Sequence, residues 1–135
     1  MRASQPEIFI SRSQHKQLKR IVAEAFRSGD RVAPFLSAEV RRAALCDDSA
    51  FPEDRVAPNC RVSYRLDWGP ATAYRTLVYP EKLHDDASQI SLLSPIGTAL
   101  LGLRQGDQMH VFLPESGFHS LYVEGVRQAA EQLSL

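Results

Sequence analysis

The stretch Gln89-Ile90-Ser91-Leu92-Leu93-Ser94-Pro95-Ile96-Gly97-Thr98-Ala99-Leu100-Leu101-Gly102 joins two kinds of element. Ile90 to Leu93 has the length and apolar character of a short strand. Ser94-Pro95 then opens a helix: a serine at the N-cap can accept a hydrogen bond from a free amide of the first turn. Proline is tolerated just inside because its missing N–H has no partner there anyway. Ile96, Ala99, Leu100 and Leu103 follow at i, i+3, i+4 and i+7, one apolar stripe. Gly102 is placed to close the helix.

Working outward, the period on both sides is two. Downstream, Gly106-Asp107 leads into a strand from Gln108 to Leu113, and Pro114 to Gly117 turns back into a last strand at about His119 to Val126. Upstream, Cys60, Val62, Tyr64 and Leu66 alternate with Arg61, Ser63, Arg65 and Asp67, the pattern of a half-buried strand. Trp68-Gly69-Pro70 turns the chain, and Thr72 to Tyr79, rich in Thr, Tyr, Val and Leu, forms the next strand. Pro80 ends it, and His84-Asp85-Asp86 is a polar loop.

Before Ser49 the period is helical. Ser11 is placed to cap a first helix, with Gln14 completing a capping box. Leu18, Ile21, Val22 and Ala25 give it one apolar face, and Ser28-Gly29-Asp30 stops it. Pro34 starts a second helix whose face is Leu36, Val40, Ala43 and Ala44. Each helix is about 10 to 17 residues, roughly 15 to 25 Å at the standard rise. The expectation is α+β: a short antiparallel helical hairpin over 1–48, a proline- and acid-containing linker over 49–59, and a mostly antiparallel sheet with one short helix on it over 60–135.

Composition narrows the function classes. A chain of 135 residues builds one core. Its 16 basic and 16 acidic side chains cancel, whereas a duplex-binding protein usually carries a basic excess, so direct nucleic-acid binding is not expected. No apolar run is long enough for a membrane span. Met1 to Pro6 lacks an apolar signal core, so a cytoplasmic protein is expected. Cys46 and Cys60 form no CxxC pair and read as reduced thiols.

The segment from Gln89 to Gly102, followed by Gly106-Asp107, closely resembles the signature of the C-terminal domain of Gre transcript-cleavage factors. A narrower resemblance, to the regulators of nucleoside diphosphate kinase, rests on Arg75-Thr76-Leu77-Val78-Tyr79-Pro80, Leu100-Leu101-Gly102-Leu103-Arg104 and Leu36-Ser37-Ala38-Glu39. Together they run from about Ile8 to Val126. The resemblance implies an FKBP-like fold for the C-terminal part and a shortened form of the Gre coiled coil for the hairpin. It implies docking on RNA polymerase near the rim of the secondary channel, in competition with Gre factors. Carried over, the docking loop is Ser91, Leu92, Leu93, Ser94 and Pro95. Gre factors commonly have Asp or Asn where this chain has Leu93, which replaces a polar contact by an apolar one.

Gre factors also present a D-x-x-E pair at the hairpin tip, thought to hold magnesium, a cation that usually takes one or two carboxylates plus water and phosphate. Here the tip, Ser28 to Phe35, has one acid, Asp30, beside Gly29 in a turn. The expected protein is therefore a non-enzymatic polymerase-docking regulator that does not stimulate transcript cleavage, with no cofactor and no metal. Two other functions stand beside it. Fold analogy alone raises peptidyl-prolyl isomerisation, but the helix from Pro95 to Leu101 has no aromatic residue to floor a proline pocket. Direct regulation of nucleoside diphosphate kinase follows only from the subfamily name.

The remaining polar residues read as surface. Glu24 and Glu39 are expected solvated on their helices, in weak ion pairs. His15, Lys16, Lys19 and Arg20 form a polar helix face. His84, His110 and His119 lack zinc-site spacing, and His110 and His119 are the one pair that adjacent strands bring near each other.

Overall fold

A computed structural model describes residues 5–128. The elements run β1 (Phe9–Ser11), α1 (Arg12–Arg27), α2 (Ala33–Arg42), β2 (Ala44–Cys46), β3 (Arg61–Leu66), β4 (Ala73–Val78), β5 (Gln89–Ser91), α3 (Pro95–Leu100), β6 (Gln108–Leu113) and β7 (Gly117–Arg127). The larger sheet has the order β5-β4-β3-β7-β6. Its pairs are antiparallel except β4 with β5, which are parallel. The class is α+β.

The inner face of the sheet follows the alternation in the sequence. Val62 and Tyr64 of β3, Met109 and Val111 of β6, and Leu121 and Val123 of β7 are buried in one cluster. Helices α1 and α2 pack on one another and add Leu18, Leu36 and Val40 to that cluster. Between them the chain turns at Gly29, whose φ of 72° is open to glycine with little strain.

Several expectations fail for reasons of long-range pairing. Ala43 and Ala44 do not extend the second helix. Ala43 is extended, with φ −69° and ψ 142°, and Ala44 opens β2, which pairs in parallel with β1. Residues 9–11 likewise form a strand. Ser11 sits at the N-cap position of α1 with extended backbone, but its side chain makes no capping bond. It is a buried strand residue opposite Cys46. The capping box with Gln14 therefore does not form. The Asp48 carboxylate, delivered just past β2, accepts from the Ser13 N–H at 3.1 Å instead.

Glu39 is the other correction. It is only 1% exposed, on the same side of α2 as Leu36 and Val40. Arg42 makes this tolerable: its Nε and NH2 each lie 3.0 Å from one Glu39 oxygen, and its NH1 donates to the Pro6 carbonyl at 2.6 Å. A buried carboxylate needs such a two-pronged partner. Glu24, by contrast, is exposed and pairs loosely with Arg27 at 3.7 Å.

The segment 49–59 is exposed at both ends but buried at residues 55–58. Val56 and Ala57 are buried in the main cluster. The Val56 N–H donates to the Leu103 carbonyl at 2.8 Å, and the Gly102 N–H donates back to the Val56 carbonyl at 2.9 Å. Arg55 NH1 donates to the carbonyls of Glu7 and Gly102 at 2.6 and 3.1 Å, while its guanidinium lies 4.2 Å from the Phe9 ring centre. Gly102 must be glycine here: its φ is 78°, and a Cβ would stand 2.7 Å from that of Ile8.

Candidate functional site

The loop between β5 and α3 is a closed hydrogen-bonded unit. The Ser91 hydroxyl accepts from the Leu93 N–H at 3.0 Å. The Ser91 carbonyl accepts from the Ser94 N–H at 3.1 Å and from the Ser94 hydroxyl at 2.7 Å. The Ser94 hydroxyl in turn accepts from the Gly97 N–H at 3.0 Å, the cap expected of it. Because Ser91 bends the chain, the strand ends there, and Leu92 and Leu93 lie in the turn rather than in the strand. Gly97 permits this closeness. A Cβ on it would lie 1.9 Å from the Ser91 carbonyl oxygen.

The loop residues divide by exposure. Leu92 is wholly buried and is held by its N–H to the Val78 carbonyl at 2.9 Å. Its own carbonyl accepts from the buried Thr98 hydroxyl at 2.7 Å. Leu92 is therefore an anchor, with no side-chain surface for a partner. Leu93, Ser94 and Pro95 are partly exposed, and Leu93 packs on the edge of the core.

Pro95 also borders an apolar recess of about 330 Å³ between α2 and β6, with Val32, Phe35, Phe112 and Phe118 among its walls. Phe112 is 52% and Phe118 77% exposed. The two rings meet edge to face at 5.1 Å. An exposed aromatic pair rimmed by polar groups marks an interaction surface more often than chance exposure does. The alternation that puts Val111 inside puts Phe112 outside, a signal present in the sequence but not read from it.

At the α1–α2 turn, Asp30 is half-buried and already occupied. Its Oδ1 accepts from the Val32 N–H at 2.8 Å, its N–H donates to the Ala25 carbonyl at 2.9 Å, and its carbonyl accepts from Ala33 at 3.1 Å. Among the described residues no group of three or more His, Cys, Asp or Glu side chains is gathered as metal ligands.

The histidines separate. In the β6–β7 register His110 opposes Ser120 and His119 opposes Val111, so His110 and His119 project to opposite faces. His119 instead joins a relay. Its Nδ1 is 2.5 Å from Asp67 Oδ2 and its Nε2 is 2.6 Å from the Ser116 hydroxyl. Asp67 Oδ1 also accepts from the Ser120 N–H at 2.9 Å. The His119 contact, then the Ser120 amide, hold the Asp67 carboxyl below the usual carboxylate value. The relay ties the β3–β4 turn to the β6–β7 turn. Separations of 3 and 52 residues hid it from a linear reading. Both cysteines are free thiols. Burial pushes the Cys60 thiol up, away from the reactive thiolate.

Sheet, capped helix and loop together define a class of protein. The sequence model of "Transcription elongation factor, GreA/GreB, C-term" matches residues 51–128, and the chain belongs to that family. Within it the chain groups with the regulators of nucleoside diphosphate kinase. It is 38% identical over 111 residues to the regulator of nucleoside diphosphate kinase of Escherichia coli, covering 82% of each protein. It is also 31% identical over 85 residues to the transcription elongation factor GreA of Chlorobium phaeovibrioides, 62% of this chain and 54% of that one. The solved structure of a prokaryotic transcription elongation factor GreA/GreB from Nitrosomonas europaea superposes with a TM-score of 0.73 at 30% identity, over 90% of this chain and 99% of that one.

Proposed function

We propose that this chain is a transcription regulator that docks on RNA polymerase at the rim of the secondary channel, where Gre factors dock, without stimulating transcript cleavage. The observation that carries the reading is the Ser91–Pro95 loop. Its backbone is fixed by four hydrogen bonds, and Pro95, half-buried at its end, adjoins the aromatic recess. A rigid loop beside an apolar patch loses little entropy on binding, which is where interface affinity is often lost. Ser91, Leu93, Ser94 and Pro95 form the contact edge, and Leu92 holds it from beneath.

In this reading the C-terminal part is FKBP-like and α1 with α2 is the reduced hairpin. The tip supports the absence of cleavage chemistry. Asp30, its one acid, spends an oxygen on the turn it sits in, and a tip that holds magnesium beside the active site needs carboxylates free to do so. The protein would then occupy the channel rim and exclude Gre factors while adding no metal. A non-enzymatic role follows, with the polymerase rather than nucleic acid as the partner.

The test measures binding to core polymerase together with cleavage of backtracked transcripts. Submicromolar binding, weakened at least about tenfold by Pro95→Ala with unfolding unchanged, and no stimulated cleavage are expected. Strong cleavage that is lost on Asp30→Ala would refute the second half, and failure to bind core polymerase the first.

A further inference from the structure

The outer face of the sheet sets two arginines side by side. Arg61 of β3 and Arg127 of β7 are direct partners in antiparallel register, so their side chains share a face with Cβ atoms about 5 Å apart. Both are exposed. Like charges in that position repel, and among the described residues neither has a carboxylate at ion-pair distance. The same face shows the alternative. Arg65, two pleat repeats further along β3, has Glu124 Oε2 2.6 Å from its Nε, although that N–H is not aimed along a hydrogen bond.

A bulge creates the pair. The β3–β7 register shifts between Ser63 and Tyr64: Gly125 opposes Ser63, Val123 opposes Tyr64, and Glu124 is the extra residue. Uninterrupted alternation from buried Val123 would send Arg127 inward and Val126 outward. With the bulge, Val126 meets buried Val62 and Arg127 meets Arg61. Bulges re-aim side chains in this way and gather near functional sites.

The two arginines border an open recess on this face of the sheet. Ser63 and Gly125 form the floor, and a Cβ on Gly125 would lie 2.8 Å from the Ser63 hydroxyl. Tyr74, 54% exposed, Gln105 and Val126 complete the lining of the recess, about 450 Å³ in volume. The Arg61 guanidinium carbon is 5.9 Å from the Tyr74 ring centre, so charge and ring are within reach of one small molecule.

We propose that this recess binds a small phosphate-bearing aromatic ligand, of the chemistry of a nucleoside di- or triphosphate. The Arg61–Arg127 pair takes the phosphates, since guanidinium matches phosphate oxygens two at a time. The Tyr74 ring stacks the base, and Ser63 and Gln105 offer polar contacts. A ligand of this size fits the volume. A compact anion suits a chain of zero net charge better than a nucleic-acid polymer, whose affinity grows with the number of phosphates neutralised.

Isothermal titration of the full-length protein with ADP, AMP, pyrophosphate and a short single-stranded oligonucleotide decides it. Saturable 1:1 binding of ADP, tighter than AMP, is expected. Arg61→Ala and Arg127→Ala should each weaken ADP about tenfold or more, with Arg61→Lys intermediate because the charge remains and the fork is lost. Tyr74→Ala should weaken ADP and leave pyrophosphate unchanged. Circular dichroism melts of these surface variants should match the parent. Absence of saturable heat from ADP and pyrophosphate at millimolar concentration overturns the proposal. So does ADP binding unmoved in the Arg61→Ala, Arg127→Ala double variant, or tighter binding of the oligonucleotide than of ADP.

Discussion

Ser94 and Gly97 do opposite things for the same loop. Ser94 supplies a hydroxyl that caps α3 and reaches back to Ser91, while Gly97 supplies empty space beside the Ser91 carbonyl. Losing a cap costs about 1 kcal/mol, so Ser94→Ala should lower the unfolding free energy read from urea denaturation by that amount. Gly97→Ala forces a Cβ against backbone that cannot yield as a side chain would, and should cost about 3 kcal/mol, the upper end for overpacking. A smaller loss for Gly97→Ala than for Ser94→Ala would contradict this account of the loop. Asp67 sets a pH dependence. Its carboxyl titrates below its ordinary value when folded, so the folded state binds that proton less readily than the unfolded chain. Its contribution is complete above the ordinary carboxylate value and is lost as pH falls through the lowered one. Asp48, held low chiefly by the Ser13 side chain, acts in the same sense. Asp67→Asn should flatten the fall in urea midpoint as pH drops below the ordinary carboxylate value; an unchanged slope would remove the relay from the stability of the fold.

Among the elements, α3 was legible because its signals are local: the cap, the proline and the closing glycine lie within one stretch, although Leu103 of the expected stripe lies past the helix end and Leu92 and Leu93 past the strand end. The period-two strands β3, β4, β6 and β7 were legible for the same reason. The β1–β2 pair was not. Each strand has three residues, and Ala43 and Ala44 fit a helical face until a partner 35 residues earlier claims the backbone of Ala44. Glu39 was misread because a carboxylate on an amphipathic helix is usually solvated, and its burial depends on Arg42 reaching both oxygens. Glu39→Ala leaves that arginine without its counter-charge beside the core, and removing one partner of a buried pair costs about 3 kcal/mol or more. Thermal or urea unfolding reads this directly. A loss under about 0.5 kcal/mol would mean the pair behaves like a surface one.

In the molecule as a whole, the chain binds its N-terminal strand, helices and sheet into one interior through Arg55 and the buried residues 56–57. That arrangement gives the Ser91–Pro95 loop a rigid base and leaves Phe112 and Phe118 exposed next to it. The candidate site was half visible in sequence: the loop by its motif, the aromatic recess only once β6 is placed against α2. Phe118→Ser should weaken polymerase binding at least about fivefold while leaving stability within about 0.5 kcal/mol, because the ring is largely exposed. The central claim is that this loop occupies the site Gre factors use. Displacement of a labelled Gre factor from core polymerase tests it most directly. Full displacement by this protein is expected, and none by a folded Leu93→Ala, Pro95→Ala variant at the same concentration; simultaneous binding of both proteins to one polymerase would rule out a shared site.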